Sequence, residues 1–264
     1  MVKKEKNKAV KISIVSPKPD QVFRLNNAPI ETGPIILSAN VIQDGADITG
    51  NVKINWKLRL SWQATHKVYQ TKIEIAGNSA GVKFISGGIL RIRAAVIVDG
   101  REHSTRSRVN IIGANPTKDQ LNKVLDSDLI KALAWQESTW RQFNNDGQPL
   151  PPVVPKGQKK PSMRGLFQIS EWWWAEERTP LPLKDFNRMA WQWEYNLQVA
   201  KLILEHYHDR VLKNFPKESA QKQWDWTLKA YKLGPGAFES KEDPGKFWYV
   251  LKIKDFIKSK PWQE

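Results

Sequence analysis

Glu137 is the residue of this chain best placed to do chemistry. It lies in Ala132-Leu133-Ala134-Trp135-Gln136-Glu137-Ser138-Thr139-Trp140, a run with helical character. Ile130, Leu133 and Ala134 precede it by seven, four and three positions, so all four share one helical stripe and the other three are apolar. Desolvation penalises the charged form of a carboxyl group and raises its pKa. A carboxyl that stays protonated near neutral pH can give its proton to a leaving group. Taken alone, a glutamate on an apolar face more often snorkels to water or pairs with a lysine.

The surrounding residues favour the chemical reading. Eleven of the 13 tryptophans fall after residue 134, with Trp172-Trp173-Trp174 the densest run. Flat aromatic faces stack on the apolar faces of sugars, although most such rings pack in cores. Trp135 and Trp140 flank Glu137 and would suppress its ionisation further. Asp146, Glu171, Glu176, Glu177 and Asp185 are candidates for a second acid, and none lies in a motif.

Four ordered motifs within residues 130–237 resemble the soluble lytic transglycosylase and goose-type lysozyme family. Glu137-Ser138 matches the family's Glu-Ser pair at the end of a helix. Gly165-Leu166-Phe167-Gln168-Ile169 matches Gly-Leu-Met-Gln and an aliphatic residue, with Phe for Met. Asn196-Leu197-Gln198-Val199-Ala200 matches an Asn that opens an amphipathic helix containing Ala. Ala230-Tyr231-Lys232-Leu233-Gly234-Pro235-Gly236 matches Ala-Tyr-Asn before a Gly-Pro-Gly turn, with Lys232 in place of Asn. Four motifs in order are far more specific than one.

The resemblance implies a peptidoglycan-cleaving enzyme that acts on the MurNAc-GlcNAc bond. Glu137 would be the general acid and Tyr231 would hydrogen-bond near it. Gln168 would read an N-acetyl group or the glycan backbone, Phe167 would pack against a sugar, and Ser138 would hold the local geometry. For Tyr231 an ordinary buried tyrosine is the alternative, and for Gln168 a turn residue. Most glycosidases pair two carboxylates. The family usually uses one, because the sugar's own 6-hydroxyl attacks and leaves a 1,6-anhydro end. Hydrolysis by the same fold and non-catalytic glycan binding are the competing readings. No cofactor or metal is implied.

Two regions must position these residues. Residues 11–112 read as short strands broken by turns, including Asp44-Gly45 and Asp99-Gly100. Strands are expected at Lys11–Val15, Pro34–Val41, Val52–Trp56, Val68–Ile75, Leu90–Val98 and Ser107–Ile112. The pattern predicts an all-β sandwich over residues 1–113 and is similar to a bacterial immunoglobulin-like domain. After Gly113-Ala114-Asn115-Pro116 the periodicity becomes helical. A mainly α, lysozyme-like domain is expected over 117–264, with helices at 186–213, 218–232 and 245–258. Thr117 and Gln120 suggest a capping box, and Ser127 a cap for the helix that carries Glu137. The Gly/Pro/Lys-rich stretch from Asn144 to Pro161 suggests a functional loop.

Composition bounds the setting. With 264 residues, 40% hydrophobic and 26% charged, the chain suits one or two globular domains. Cysteine is absent, which excludes disulfides and thiolate metal sites. His206 and His208 are two apart and would face different sides of a helix. No apolar run approaches the roughly 20 residues of a membrane span. The basic start, Met1 to Lys8, lacks the apolar core of a secretory signal peptide. The expectation is synthesis in the cytoplasm and action at the cell wall after release or injection, as in a phage lysin, a virion part or an injected effector. A holin, a delivery machinery or an immunity protein would be the partner.

The net charge is +15, and residues 1–114 hold 18 Lys+Arg against 8 Asp+Glu, a net of +10. This bias predicts that the N-terminal domain meets an anionic envelope surface. Nucleic acid is disfavoured because no binding motif accompanies the charge.

Overall fold

The computed structural model describes residues 9–151, 163–171, 183, 185–240 and 242–263. The Trp172–Trp174 run, Glu176, Glu177 and residues 152–161 of the expected loop lie outside them. The chain divides into two compact units, Met1–Ala114 and Asn115–Glu264. A β-sheet region over residues 10–112 is followed by a mainly helical region.

The first unit contains β1 (Val10–Ser16), β2 (Val22–Arg24), β3 (Ile35–Gln43), β4 (Ala46–Asp47), β5 (Asn55–Gln63), β6 (Val68–Ala76), β7 (Ser79–Val82), β8 (Gly88–Val98) and β9 (Arg101–Ile112). One sheet joins β1, β4 and β7 to β3. The other runs β2-β9-β8-β5-β6, antiparallel except where β2 meets β9. Period-two alternation gives each sheet one buried face. Ile35, Leu37, Ala39 and Val41 are buried on β3; Trp56, Leu58, Leu60 and Trp62 on β5; Leu90, Ile92, Ala94 and Val96 on β8. Trp56 Nε1 donates to the Gly77 carbonyl at 2.8 Å, which satisfies the one polar group of a fully buried ring.

Asp44-Gly45 and Asp99-Gly100 make tight turns, with φ of 49° and 86° in the first and 47° and 74° in the second. Positive φ at both central residues matches the strand twist in a two-residue hairpin. The second turn pairs Val98 with Arg101, so β9 begins six residues before the expected Ser107. Its polar opening, Arg-Glu-His-Ser-Thr-Arg, hid it from a hydrophobicity reading. The strand expected at Val52–Trp56 instead starts at Asn55 and continues the alternation to Gln63.

The second unit opens with α1 (Lys118–Val124) and α2 (Asp128–Ser138). Thr117 and Gln120 form the full capping box on α1, and Ser127 Oγ accepts from Ile130 N at 3.2 Å on α2. The short β10 (Met163–Arg164) and β11 (Ile169–Ser170) pair as a hairpin. Then come α3 (Phe186–Trp191), α4 (Trp193–Asn214), α5 (Ala220–Leu233) and α6 (Trp248–Ser259). The continuous helix expected over 186–213 is broken at Gln192, whose φ of −124° and ψ of 109° are extended. Helix α5 packs on α4, and α6 packs on α2 and α5. Polar contacts from Asp225 and Lys229 hold α5 to α6 and to the segment before it. Asp225 Oδ2 meets Lys254 Nζ at 2.7 Å. The fully buried Lys229 donates to the Glu242 carbonyl at 2.7 Å and Ser240 Oγ at 3.0 Å. Among the described residues, no helix is long and apolar enough to cross a membrane.

Gly88 tests the sheet's tolerance. Its φ is +129°, and a Cβ there would stand 2.4 Å from the Ser61 carbonyl oxygen on the neighbouring β5. Gly88→Ala should cost at least about 1 kcal/mol, whereas Gly50→Ala, which meets nothing within 4 Å, should be near neutral. Chemical denaturation of the full chain checks this; equal stability of the two variants would refute it.

Candidate active site

Glu137 occupies the last turn of α2, on the stripe formed by Ile130, Leu133 and Ala134, all buried. The helix stops at once. Thr139 and Trp140 both adopt left-handed φ, 50° and 61°. Such values are costly for side chains this large and mark a turn held by its surroundings. Ser138 Oγ donates to the Ala134 carbonyl at 3.1 Å and accepts from Arg141 N at 3.1 Å. It ties the helix end to the segment that leaves it and does not face the cleft described below.

Three helices converge on the Glu137 carboxyl, whose side chain is 7% exposed. Tyr249 of α6 donates its hydroxyl to Oε1 in a very short contact. Lys232 of α5 brings Nζ to 3.5 Å from the same oxygen. The Lys232 ammonium also lies 5.0 Å from the centre of the Tyr249 ring. Burial holds the Glu137 carboxyl above its usual range. The Lys232 charge and the hydrogen bonds from Tyr249 and Lys232 oppose that shift without cancelling it. Burial and the nearby Glu137 charge push the Tyr249 and Tyr231 hydroxyls well above the ordinary tyrosine range, so both remain donors.

The Gly165–Gln168 turn is gripped from two sides. Gly165 has φ +81°, and a Cβ on it would lie 2.6 Å from Gln142 Nε2 and 2.7 Å from Asn196 Nδ2. Only glycine lets these buried amides approach. Gln142 Oε1 accepts from Leu166 N at 2.8 Å, and Asn196 Oδ1 accepts from Phe167 N at 2.9 Å. Gln142 Nε2 donates onward to the Ala190 carbonyl at 2.7 Å. Tyr231 donates to the Phe167 carbonyl at 2.9 Å and so links this turn to α5.

The expected site residues therefore divide. Tyr231 reaches the motif turn rather than the Glu137 carboxyl; Tyr249, which no motif marks, takes the place beside the acid. The Phe167 ring is 0% exposed and offers no face to a sugar; its carbonyl is the useful atom. Gln168, with φ 48°, donates Nε2 to the carbonyls of Gly165 and Leu150 at 2.8 and 3.1 Å. Its Oε1 is buried without a partner. Trp135 meets Trp140 edge to face, and Trp140 stacks on Trp262. The aromatic groups coupled to Glu137 by hydrogen bond or charge are tyrosines. Gln142, Lys232 and Tyr249 are the contributors that the sequence reading did not place at the site. For Lys232, its departure from the motif was the available signal.

A cleft of about 400 Å³ adjoins the site, lined by Gln168, Ile169, Ser170, Ile203, Tyr207, Tyr231, Lys232 and the Gly234–Gly236 turn among others. Lys232 both lines it and contacts Glu137, which connects acid to cleft. None of the described lining residues is Asp or Glu. Asp185 caps α3 through Arg188 N, and Glu171 is buried beside the Arg164 charge. His208 bonds Thr227 and stacks on Trp224. Among the described residues, no group of three His, Cys, Asp or Glu could hold a metal ion.

No family model matches the chain, and neither a curated protein nor a solved structure matches it.

The raised Glu137 pKa has a consequence for stability. Below the ordinary glutamate pKa, both folded and unfolded states are protonated. Above it, the unfolded chain ionises freely while the folded chain resists, so stability falls until pH passes the folded pKa. Glu137→Gln removes that loss. The variant should match wild type near pH 4 and gain stability progressively toward pH 8, measured by denaturant midpoints across pH. A constant difference, or one that shrinks as pH rises, would contradict the burial account.

Proposed function

We propose that the chain is a peptidoglycan-cleaving enzyme that breaks the MurNAc-GlcNAc bond by a lytic transglycosylase route. The observation that carries this is the buried Glu137 carboxyl, whose pKa burial raises, held by Tyr249 and joined by Lys232 to a cleft without a second described carboxylate. The four ordered motifs support it independently. On this reading the second unit is lysozyme-like and the first is an immunoglobulin-like sandwich that serves as an accessory domain. The enzyme would reach the wall by release or injection, as a phage lysin or an antibacterial effector.

The chemistry follows from the contacts. Tyr249 and Lys232 both address Oε1, which leaves Oε2 to hold the acid proton. Glu137 gives that proton to the bridging glycosidic oxygen as the bond from that oxygen to the anomeric carbon breaks. The carboxylate now formed is stabilised by the Lys232 ammonium and the Tyr249 hydroxyl. The 6-hydroxyl of the same muramic acid attacks the anomeric carbon and returns its proton to Glu137. Water is not consumed, and the product carries a 1,6-anhydro ring. Gln168 lines the cleft, where the resemblance would have it read an N-acetyl group or the glycan backbone.

Purified cell walls treated with wild type should release muropeptides with anhydro ends, read by mass spectrometry. Glu137→Gln should lose about 10²- to 10⁴-fold in rate, the usual worth of a general acid. No release by wild type, or full activity in Glu137→Gln, refutes the enzyme reading. Reducing ends would instead assign hydrolysis.

Lys232 lowers the Glu137 pKa. Lys232→Met should therefore raise it and move the basic limb of the pH–rate profile to higher pH. A limb that stays in place or moves down would remove Lys232 from the acid's electrostatics.

A further inference from the structure

The outward face of the larger sheet in the first unit carries an ordered array of cations. The strand registers set Lys72 of β6 opposite Arg59 of β5, Arg59 opposite Arg91 of β8, and Arg91 opposite Arg108 of β9. Four positive side chains thus form one row across four strands, all exposed. Residues directly opposite lie about 4.5–5.5 Å apart at Cβ, and like charges in that position destabilise a sheet. The adjacent row shows how the chain neutralises such a face. There Lys57 pairs with Glu74 at 3.3 Å, and Arg93, opposite Arg106, pairs with Glu102 from further along β9. In the four-cation row only the end is neutralised, by Asp20 at 2.8 Å from Arg108. Arg91 donates to the uncharged Ser61 Oγ at 3.0 Å. Among the described residues, Lys72, Arg59 and the neighbouring Arg106 form no ion pair. A cavity of about 750 Å³ opens over this region, lined by Arg59, Arg91, Arg106 and Arg108 among others.

We propose that this row is a binding track for a linear phosphodiester polymer that carries no bases. Guanidinium groups grip phosphate oxygens bidentately, and three of the row's four cations are arginines, with Arg106 beside them. Four strands at about 4.8 Å spacing make a track roughly 14 Å long. Its unneutralised part is one side chain wide except where Arg106 adjoins it, which fits a single chain better than a duplex. The outward positions of this face on β5, β8 and β9 carry no aromatic ring on which a base could stack. A sheet face built for stability alone would place neutral residues or acids opposite the arginines. Here the repulsion is kept, and a bound polyanion relieves it. The track lies wholly in the first unit and is independent of the Glu137 chemistry.

The test uses the full chain and poly(glycerol phosphate) as the probe, with affinity measured across a salt series. The Arg59→Gln/Arg91→Gln/Arg106→Gln variant should bind at least tenfold more weakly. Its slope of log affinity on log salt should be shallower by about 2, from three lost contacts at about 0.7 each. Its thermal midpoint should equal or exceed that of wild type, because repulsion is removed. A control with the same charge change, Lys213→Gln/Lys217→Gln/Lys258→Gln in the second unit, should change affinity less than twofold. The corresponding triple Arg→Lys variant keeps the charge but loses the bidentate grip, and should show an intermediate loss. It also keeps the test valid if the Gln variant misfolds. Arginine variants that bind within twofold of wild type, or a control that loses as much, overturn the proposal. Tighter, arginine-dependent binding of duplex DNA or of acidic phospholipid vesicles, at equal phosphate concentration, overturns the choice of polymer. Glu137→Gln should bind the probe as wild type does, which separates this outcome from the fate of the enzyme reading.

Discussion

An ionisable carboxyl held out of water is the constraint around which the second unit is organised. Glu137 sits on the apolar stripe of α2, and an unpartnered buried carboxyl there would be costly. The fold answers with donors from two other helices, Tyr249 of α6 and Lys232 of α5. Those helices must therefore be placed accurately relative to α2. The Asp225–Lys254 pair and the buried Lys229 tie the middle of α5 to α6 itself and to the segment entering α6. Neither feature touches the acid. Both decide where its partners stand.

The balance at Glu137 is between desolvation and a nearby cation. If the cation dominated, the resting group would be a carboxylate, able to accept a proton but not to give one. Burial is the largest influence, so the group keeps its proton to higher pH than an ordinary glutamate does. The ammonium 3.5 Å away still favours the conjugate base once the proton has left. A group with one role must lie far to one side of that balance. A group asked to donate and then accept works best when opposing influences nearly offset each other. The Lys at position 232, where the resemblance would place Asn, strengthens this two-way character in the proposed reaction.

Local features were readable from the sequence because their causes are local. The Thr117–Gln120 capping box, the Ser127 cap and the two Asp-Gly turns each depend on a few adjacent residues, and all are present. The burial of the Glu137 stripe was readable for the same reason, since helical spacing alone determines it. Tyr249 was not, because it meets Glu137 across 112 residues and carries no motif. Gln142 was hidden likewise, its role appearing only once the Gly165 turn folds against it. The break at Gln192 escaped because apolar spacing continues across it. The polar opening of β9 is set by its hairpin partner rather than by its own pattern. The Phe167 position is legible from the motif, but the part its backbone plays is not: the turn presents the Phe167 carbonyl to Tyr231 while the ring is buried.

Elsewhere the chain treats charge conservatively. Lys201 meets Asp126, Lys260 meets Asp128, and even the fully buried Lys229 is surrounded by oxygen acceptors. Where folding is the only concern, charges are paired or left in water. Two places break this habit in opposite directions. At Glu137 burial suppresses a charge that the position would otherwise carry. Along Lys72, Arg59, Arg91 and Arg108 like charges are set side by side although neighbouring positions show that acids could have separated them. Neither arrangement lowers the free energy of the folded chain by itself. The cationic row beneath a cavity stores unfavourable electrostatics that an incoming anion can release, whereas the buried carboxyl holds its proton more firmly than an exposed one would. On the proposed readings the first suits holding a polyanion and the second delivering a proton.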